Sequence, residues 1–231
     1  MTIARSPLRL LAAVALVLTG AAAAQTSDLP KGKREAASAW SAEGLQKTEV
    51  KGLDTVYVRP GSNLGGYDRI LLKPISVAFR KGWQMTPLPG SRDRPSAEDA
   101  QRIRARVSIL AQEEVAKELM AGGYKMANEP GEDVLDVQLS IVDLFINAPD
   151  IKNSVRTTTW ALSAGEMSLV AQLSDSMSGE VLLRAFDRST ATETTWAHQI
   201  TSVENEAEGR RAAQNWAKAL RRELDLARTA H

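Results

Sequence analysis

Glu166-Met-Ser-Leu-Val-Ala-Gln-Leu-Ser-Asp-Ser-Met-Ser-Gly-Glu-Val-Leu-Leu-Arg-Ala-Phe186 is the stretch that decides the fold. Met167, Leu169, Ala171 and Leu173 recur at every second position, which puts them on one face of an extended strand. Asp175 to Glu180 then supplies a turn: the Asp175 carboxylate can accept from turn amides, and Gly179 takes positive φ without strain. Val181-Leu-Leu-Arg-Ala-Phe186 runs back, so the segment is predicted to be an antiparallel hairpin.

Upstream, Leu135, Val137, Leu139 and Ile141 alternate with Asp136, Gln138 and Ser140, a strand with one wet face. Before it, Ala100, Ile103, Val107, Leu110, Ala111, Val115 and Leu119 recur at three- and four-residue steps and predict a helix. Ser96 is its expected N-cap, Glu98 and Asp99 sit where the helix dipole favours anions, and Gly122-Gly123 stops it. Two strands precede this helix. Thr55-Val-Tyr-Val-Arg59 closes at Pro60-Gly61, and Arg69 to Phe79 follows the glycine loop 61–66. Pro74 inside the second run has no amide hydrogen for a ladder, which predicts an edge position or a bulge. After the hairpin, Ala213, Trp216, Ala217, Leu220, Leu224 and Ala227 line one face of a helix over roughly 204–228. The expected fold class is α+β: a two-layer sandwich with a mixed, mainly antiparallel sheet of about five strands and two helices on one face.

The ends carry different information. Arg5 and Arg9, an apolar run from Leu10 to Leu18, and Ala22-Ala-Ala24 before Gln25 have the order of a secretory signal peptide. Cleavage is expected between Ala24 and Gln25, leaving 207 of 231 residues. The apolar run falls short of the roughly 18–20 residues that a membrane span needs. Residues 25–50 are polar and alanine-rich and read as a flexible leader, docking through Trp40 and Leu45. Residues 51–231 form the expected single domain.

Composition narrows the chemistry. Twenty-nine Lys and Arg against 28 Asp and Glu leave no basic excess for a nucleic-acid binder. Loss of Arg5 and Arg9 moves the formal charge from +1 to −1. With no cysteine there is no disulfide, thiol nucleophile, thiolate metal site or cysteine-borne lipid anchor. Only His198 and His231 are available, so no multi-histidine metal centre is expected, and neither a metal nor a cofactor is assigned.

No G-x-S-x-G elbow, S-x-x-K pair or H-E-x-x-H helix occurs. The glycine loop 61–66 lacks the Lys-Ser/Thr of a phosphate cradle. Asp175, Glu180 and Asp187 flank the hairpin and would suit a carboxylate hydrolase only if two of them faced one cleft; turns hold acids for ordinary reasons. What remains is Arg80-Lys81-Gly82-Trp83 at the exit of the second strand, with Trp160 in the irregular 147–164 segment. Two cations beside an aromatic suit a glycan, a lipid headgroup or a protein partner. The alternative is that each tryptophan folds back over the sheet and the cations are merely solvated.

Tyr57-Val-Arg-Pro-Gly61, Tyr67-Asp-Arg-Ile-Leu-Leu72 and the hairpin from Glu166 to Arg188 resemble a bacterial envelope family, the domain of unknown function numbered 3313, over roughly residues 45–226. The resemblance implies export, and many members look like lipoproteins; this chain departs from them in lacking the lipid-bearing cysteine. It carries over no catalytic residues. The sequence therefore reads as a periplasmic, non-enzymatic accessory or scaffold protein with an envelope protein partner. A glycan- or lipid-binding module is the alternative reading.

Overall fold

The computed structural model describes residues 33–85, 94–146, 159–161, 165–190, 198–200 and 202–229. The signal-peptide reading, with Ala24 and Gln25, falls outside them. In chain order the elements are α1 (Lys33–Ala42), β1 (Gln46–Thr48), β2 (Thr55–Val58), β3 (Arg69–Leu72), β4 (Ser76–Phe79), α2 (Ala97–Ala121), β5 (Lys125–Met126), β6 (Val134–Ile146), β7 (Thr159–Ala161), β8 (Gly165–Asp175), β9 (Val181–Thr190), β10 (His198–Ile200) and α3 (Ser202–Thr229).

The hairpin β8–β9 sits at the centre. One mixed sheet runs β1-β2-β9-β8-β6-β3-β5, and β4 also pairs with β6. Pairing is antiparallel from β1 through β6, and parallel where β3 and β4 meet β6 and where β3 meets β5. The expected five strands and two helices are thus corrected, among the described residues, to an eight-stranded sheet and three helices, with a separate antiparallel pair, β7 and β10. The reason is length: β1, β5, β7 and β10 have two or three residues each, too few for a period to show. The run from Arg69 to Phe79 is likewise two strands. Lys73 N–H donates to Val137 O at 2.9 Å, Pro74 has nothing to donate, and β4 resumes the ladder further along β6.

The period-2 alternation divides the sheet's contacts. Val56, Leu139, Ile141, Leu169, Ala171, Leu173 and Ala185 pack beneath α2 and α3 with Leu110, Val115, Leu119, Trp216 and Leu224. Their chain neighbours Tyr57, Val142, Val170 and Phe186 face the other way, against Ala36, Trp40 and Leu45. Residues 33–50, expected as a flexible leader, thus carry a helix and a strand, and α1 lies on the face opposite the other two helices. Trp40 and Leu45 are 1% and 3% exposed.

Helix α2 begins in a capping box: Ser96 accepts from the Asp99 amide, and Asp99 accepts from the Ser96 amide. Gly123, at φ +84°, turns the chain out of it. Helices α2 and α3 run parallel, because their cross-links advance together along both: Arg106 with Glu206, Glu114 with Arg210 and Gln214, Glu118 with Arg221. Among the described residues, no helix is long and apolar enough to cross a membrane.

Candidate functional site

The segment singled out by sequence lies where β4 leaves the sheet. Arg80 N–H donates to Leu144 O at 3.0 Å, extending the ladder, and Trp83 N–H donates back to Arg80 O at 3.0 Å. Gly82, at φ +82°, supplies the turn between them. The turn throws Trp83 onto Phe79. The two rings stack with centroids 4.0 Å apart and planes 2° apart, and the indole N–H donates to Ile146 O at 3.0 Å. Trp83 is only 3% exposed, so this tryptophan folds back, as one of the two sequence readings had it.

Arg80 is equally committed. Its guanidinium pairs with Glu166 and lies 5.1 Å from the centre of the Phe145 ring. Glu166 also pairs with Arg188, so one carboxylate at the start of β8 holds two guanidiniums together. Burial works to raise the Glu166 pKa, but the bonds from Arg188 and Arg80 outweigh it and hold the carboxyl below its ordinary range. Lys81, by contrast, is exposed. Trp160 lies on β7 opposite Gln199 of β10, and its side chain falls outside the described residues.

Other residues around β4 escaped the sequence reading. Arg104, on the exposed side of α2, holds its guanidinium 5.7 Å from the centre of the Phe79 ring. The Gln84 side chain donates to Ser96 O at 3.4 Å, which ties the turn to the start of α2 beside exposed Arg94. Lys81, Arg94 and Arg104 pair with no carboxylate among the described residues. A helical stripe marks Arg104 as solvent-facing but not as the neighbour of Phe79, so no sequence signal joins the three.

Strand β4 is an edge. It pairs with β6 and with no other described strand, and all four of its residues are half-buried. The preceding residue is closed off by α2: Ile75 N–H donates to the Gln112 side chain at 3.2 Å, and Ile75 O accepts from the Ser108 hydroxyl at 2.6 Å. Strand β4 itself, Ser-Val-Ala-Phe, contains no charge and no proline. The other edges are blunted. Strand β1 is three exposed residues with Lys47 in the middle, and β5 is two residues long.

The hairpin acids are occupied elsewhere. Asp175 accepts from the Met177 and Ser178 amides (3.2 and 2.7 Å), the Ser178 hydroxyl (2.7 Å) and the Tyr67 hydroxyl (2.9 Å). The bonds from Ser178 lead in holding its pKa below the usual carboxylate range. Burial, then Asp175, pushes the Tyr67 hydroxyl up to about 12. Glu180 pairs with Arg59 at 3.2 Å. Asp187 accepts from the Asp54 amide at 2.9 Å and the Trp216 indole at 2.8 Å. Asp175, Glu180 and Asp187 thus fasten the turn, the strands and a helix. His198 lies on β10 opposite Ala161.

No curated protein matches the chain in sequence. Solved structures similar to it include a PelC dodecamer from Paraburkholderia phytofirmans, at 15% identity and a TM-score of 0.32, covering 70% of this chain and 98% of that one. A minor lipoprotein from Acinetobacter baumannii is similar at 12% identity and a TM-score of 0.35, covering 70% and 95%. A DUF4136 family protein from Bacteroides thetaiotaomicron is similar at 12% identity and 0.31, covering 77% and 97%. The family described as "Protein of unknown function (DUF3313)" matches residues 35–220, and the chain belongs to it.

Proposed function

We propose that the protein is an exported, periplasmic, non-enzymatic accessory or scaffold protein of an envelope assembly, which recruits a protein partner by strand addition at β4. Export is supported by the basic start, apolar run and small-residue site of residues 1–24. The observation that carries the recruitment is the edge itself. Strand β4 is uncharged, half-buried and paired on one side, whereas β1 and β5 are protected in the ways that proteins use against unwanted pairing. An extended segment added there gains main-chain hydrogen bonds and a partly apolar surface to cover. Capture of a glycan or lipid on Trp83 has less support, since one ring face is covered by Phe79 and the residue is buried.

In-cell photo-crosslinking tests the reading. A photoreactive residue at Ala78 or Lys81 is expected to capture one recurrent envelope protein, while the same residue at Lys47 on the opposite edge is expected not to. Identical products from both edges, or none from a folded and exported protein, would overturn it.

A further inference from the structure

The edge reading leaves open what the added strand looks like, and the charges around β4 bear on that. Most arginines in the described structure are held by acids: Arg59 by Glu180, Arg69 by Asp133, Arg184 by Glu43, Arg210 by Glu114, Arg228 by Asp68. Close to the end of β4 the pattern changes. Lys81 follows the strand directly, Arg104 lies over its last side chain, and Arg94 stands two residues before the Ser96 carbonyl that Gln84 contacts. All three are exposed, and none pairs with a carboxylate among the described residues. At the other end of the strand the cation is already neutralised, as Lys73 pairs with Asp136 at 3.2 Å. Among the described residues, positive charge without a carboxylate partner is therefore confined to one end of the open edge.

We infer that the partner of β4 is an extended peptide segment that carries acidic side chains at the end lying beside Phe79. This deepens the strand-addition reading and rests on it. The main chain of the segment would pair along Ser76 to Phe79, and its carboxylates would meet Lys81, Arg94 and Arg104. The stacked Phe79 and Trp83 rings, pinned by the indole bond to Ile146, hold one side of that position rigid, so little order has to be created on binding. Exposed ion pairs are individually weak, so three together are expected to contribute about tenfold in affinity, and mainly at low salt.

Anisotropy of labelled peptides against the mature protein tests it. The probes are an eight-residue alternating Val-Thr segment bearing four Asp at its N-terminus, at its C-terminus, or replaced by four Asn, and four Asp alone. The expected result is that one of the two acidic strands binds about tenfold more tightly than the Asn strand in 50 mM salt, with the gap closing in 500 mM. Which acidic strand wins reports whether the segment adds parallel or antiparallel to β4. In the double variant K81E/R94E, which leaves the Phe79–Trp83–Arg104 stack intact, the preference for acid is expected to disappear. Equal binding of the acidic and Asn strands would overturn the charge inference and leave the edge reading standing. Equal binding of four Asp alone would show the cations acting without the edge. No binding of any strand would overturn the inference, and crosslinking from Ala78 would still decide the edge reading separately.

Discussion

Glu166 shows how much one carboxylate can organise. Its side chain is 17% exposed and holds Arg80, which directly follows β4, and Arg188 from β9, so the ends of three strands are fastened at a single point. Replacing it with glutamine leaves two guanidiniums facing each other across a neutral amide. Since both arginines keep partial contact with water, the cost is expected to be about 1–2 kcal/mol, below that of a fully buried pair. The pH dependence has a definite sign. The Glu166 pKa is held below its ordinary value, so its contribution is fully present above the unfolded range near 4.3 and is lost as pH falls through the lower folded value. Urea unfolding of wild type and E166Q is therefore expected to differ at pH 6–7 and to converge on acidification below about 4. A gap that persists or widens in acid would mean that the substitution acts through packing instead of charge.

At the scale of elements, β6 and β8 share the longest join in the sheet, and that join changes character at its end. The pairing shifts register between Val142 and Phe145, and Asp143 takes φ +52° inside the irregularity. Opposite it, Gly165 opens β8 so close to β6 that a Cβ there would stand 2.2 Å from Phe145 O. A backbone oxygen cannot swing aside, so G165A has to push the strands apart next to the Glu166 cluster. It is expected to destabilise the fold by about 1–3 kcal/mol, the usual range for overpacking, read as a lowered denaturation midpoint. An unchanged midpoint would mean that the strand end moves freely. The same join shows where sequence reading works. The side chains of β6 and β8 that pack beneath α2 and α3 recur at every second residue over four positions each, at 135–141 and 167–173, long enough to see, and α2 advertises itself by both periodicity and caps. The Val142–Phe145 shift leaves no comparable mark, because an extra residue in a bulge can be of almost any type. Strands of two or three residues are set by their neighbours' hydrogen bonds, not by their own pattern. The site was legible in the same partial way. Arg80, Lys81 and Trp83 stand out as a cluster in the chain, but that Trp83 turns inward and Arg104 joins from α2 depends on a turn and a helix position that no local pattern records.

At the scale of the whole molecule, the sheet is covered unequally. Helices α2 and α3 bury the larger core, while among the described residues the opposite face is covered by α1, through Trp40 set edge-on to Tyr57 at 5.8 Å and 73° and through contacts with Val142, Val170 and Phe186. A ten-residue helix is too short to be stable in water by itself, so α1 persists only as far as its docking energy holds it. Removing a buried tryptophan side chain costs about 3–5 kcal/mol where the site cannot collapse. Here the helix can leave instead, so the loss is capped at the docking energy. W40A is therefore expected to release amide-exchange protection over residues 33–48 while β6 and β8 stay protected by the core beneath α2 and α3. Released α1 would uncover Tyr57, Val142, Val170 and Phe186, a contiguous apolar patch, so W40A is also expected to self-associate as its concentration rises. Uniform loss of protection across β6 and β8 would instead show that both faces of the sheet fold as one unit, with α1 a full part of the core that holds the β4 edge in place.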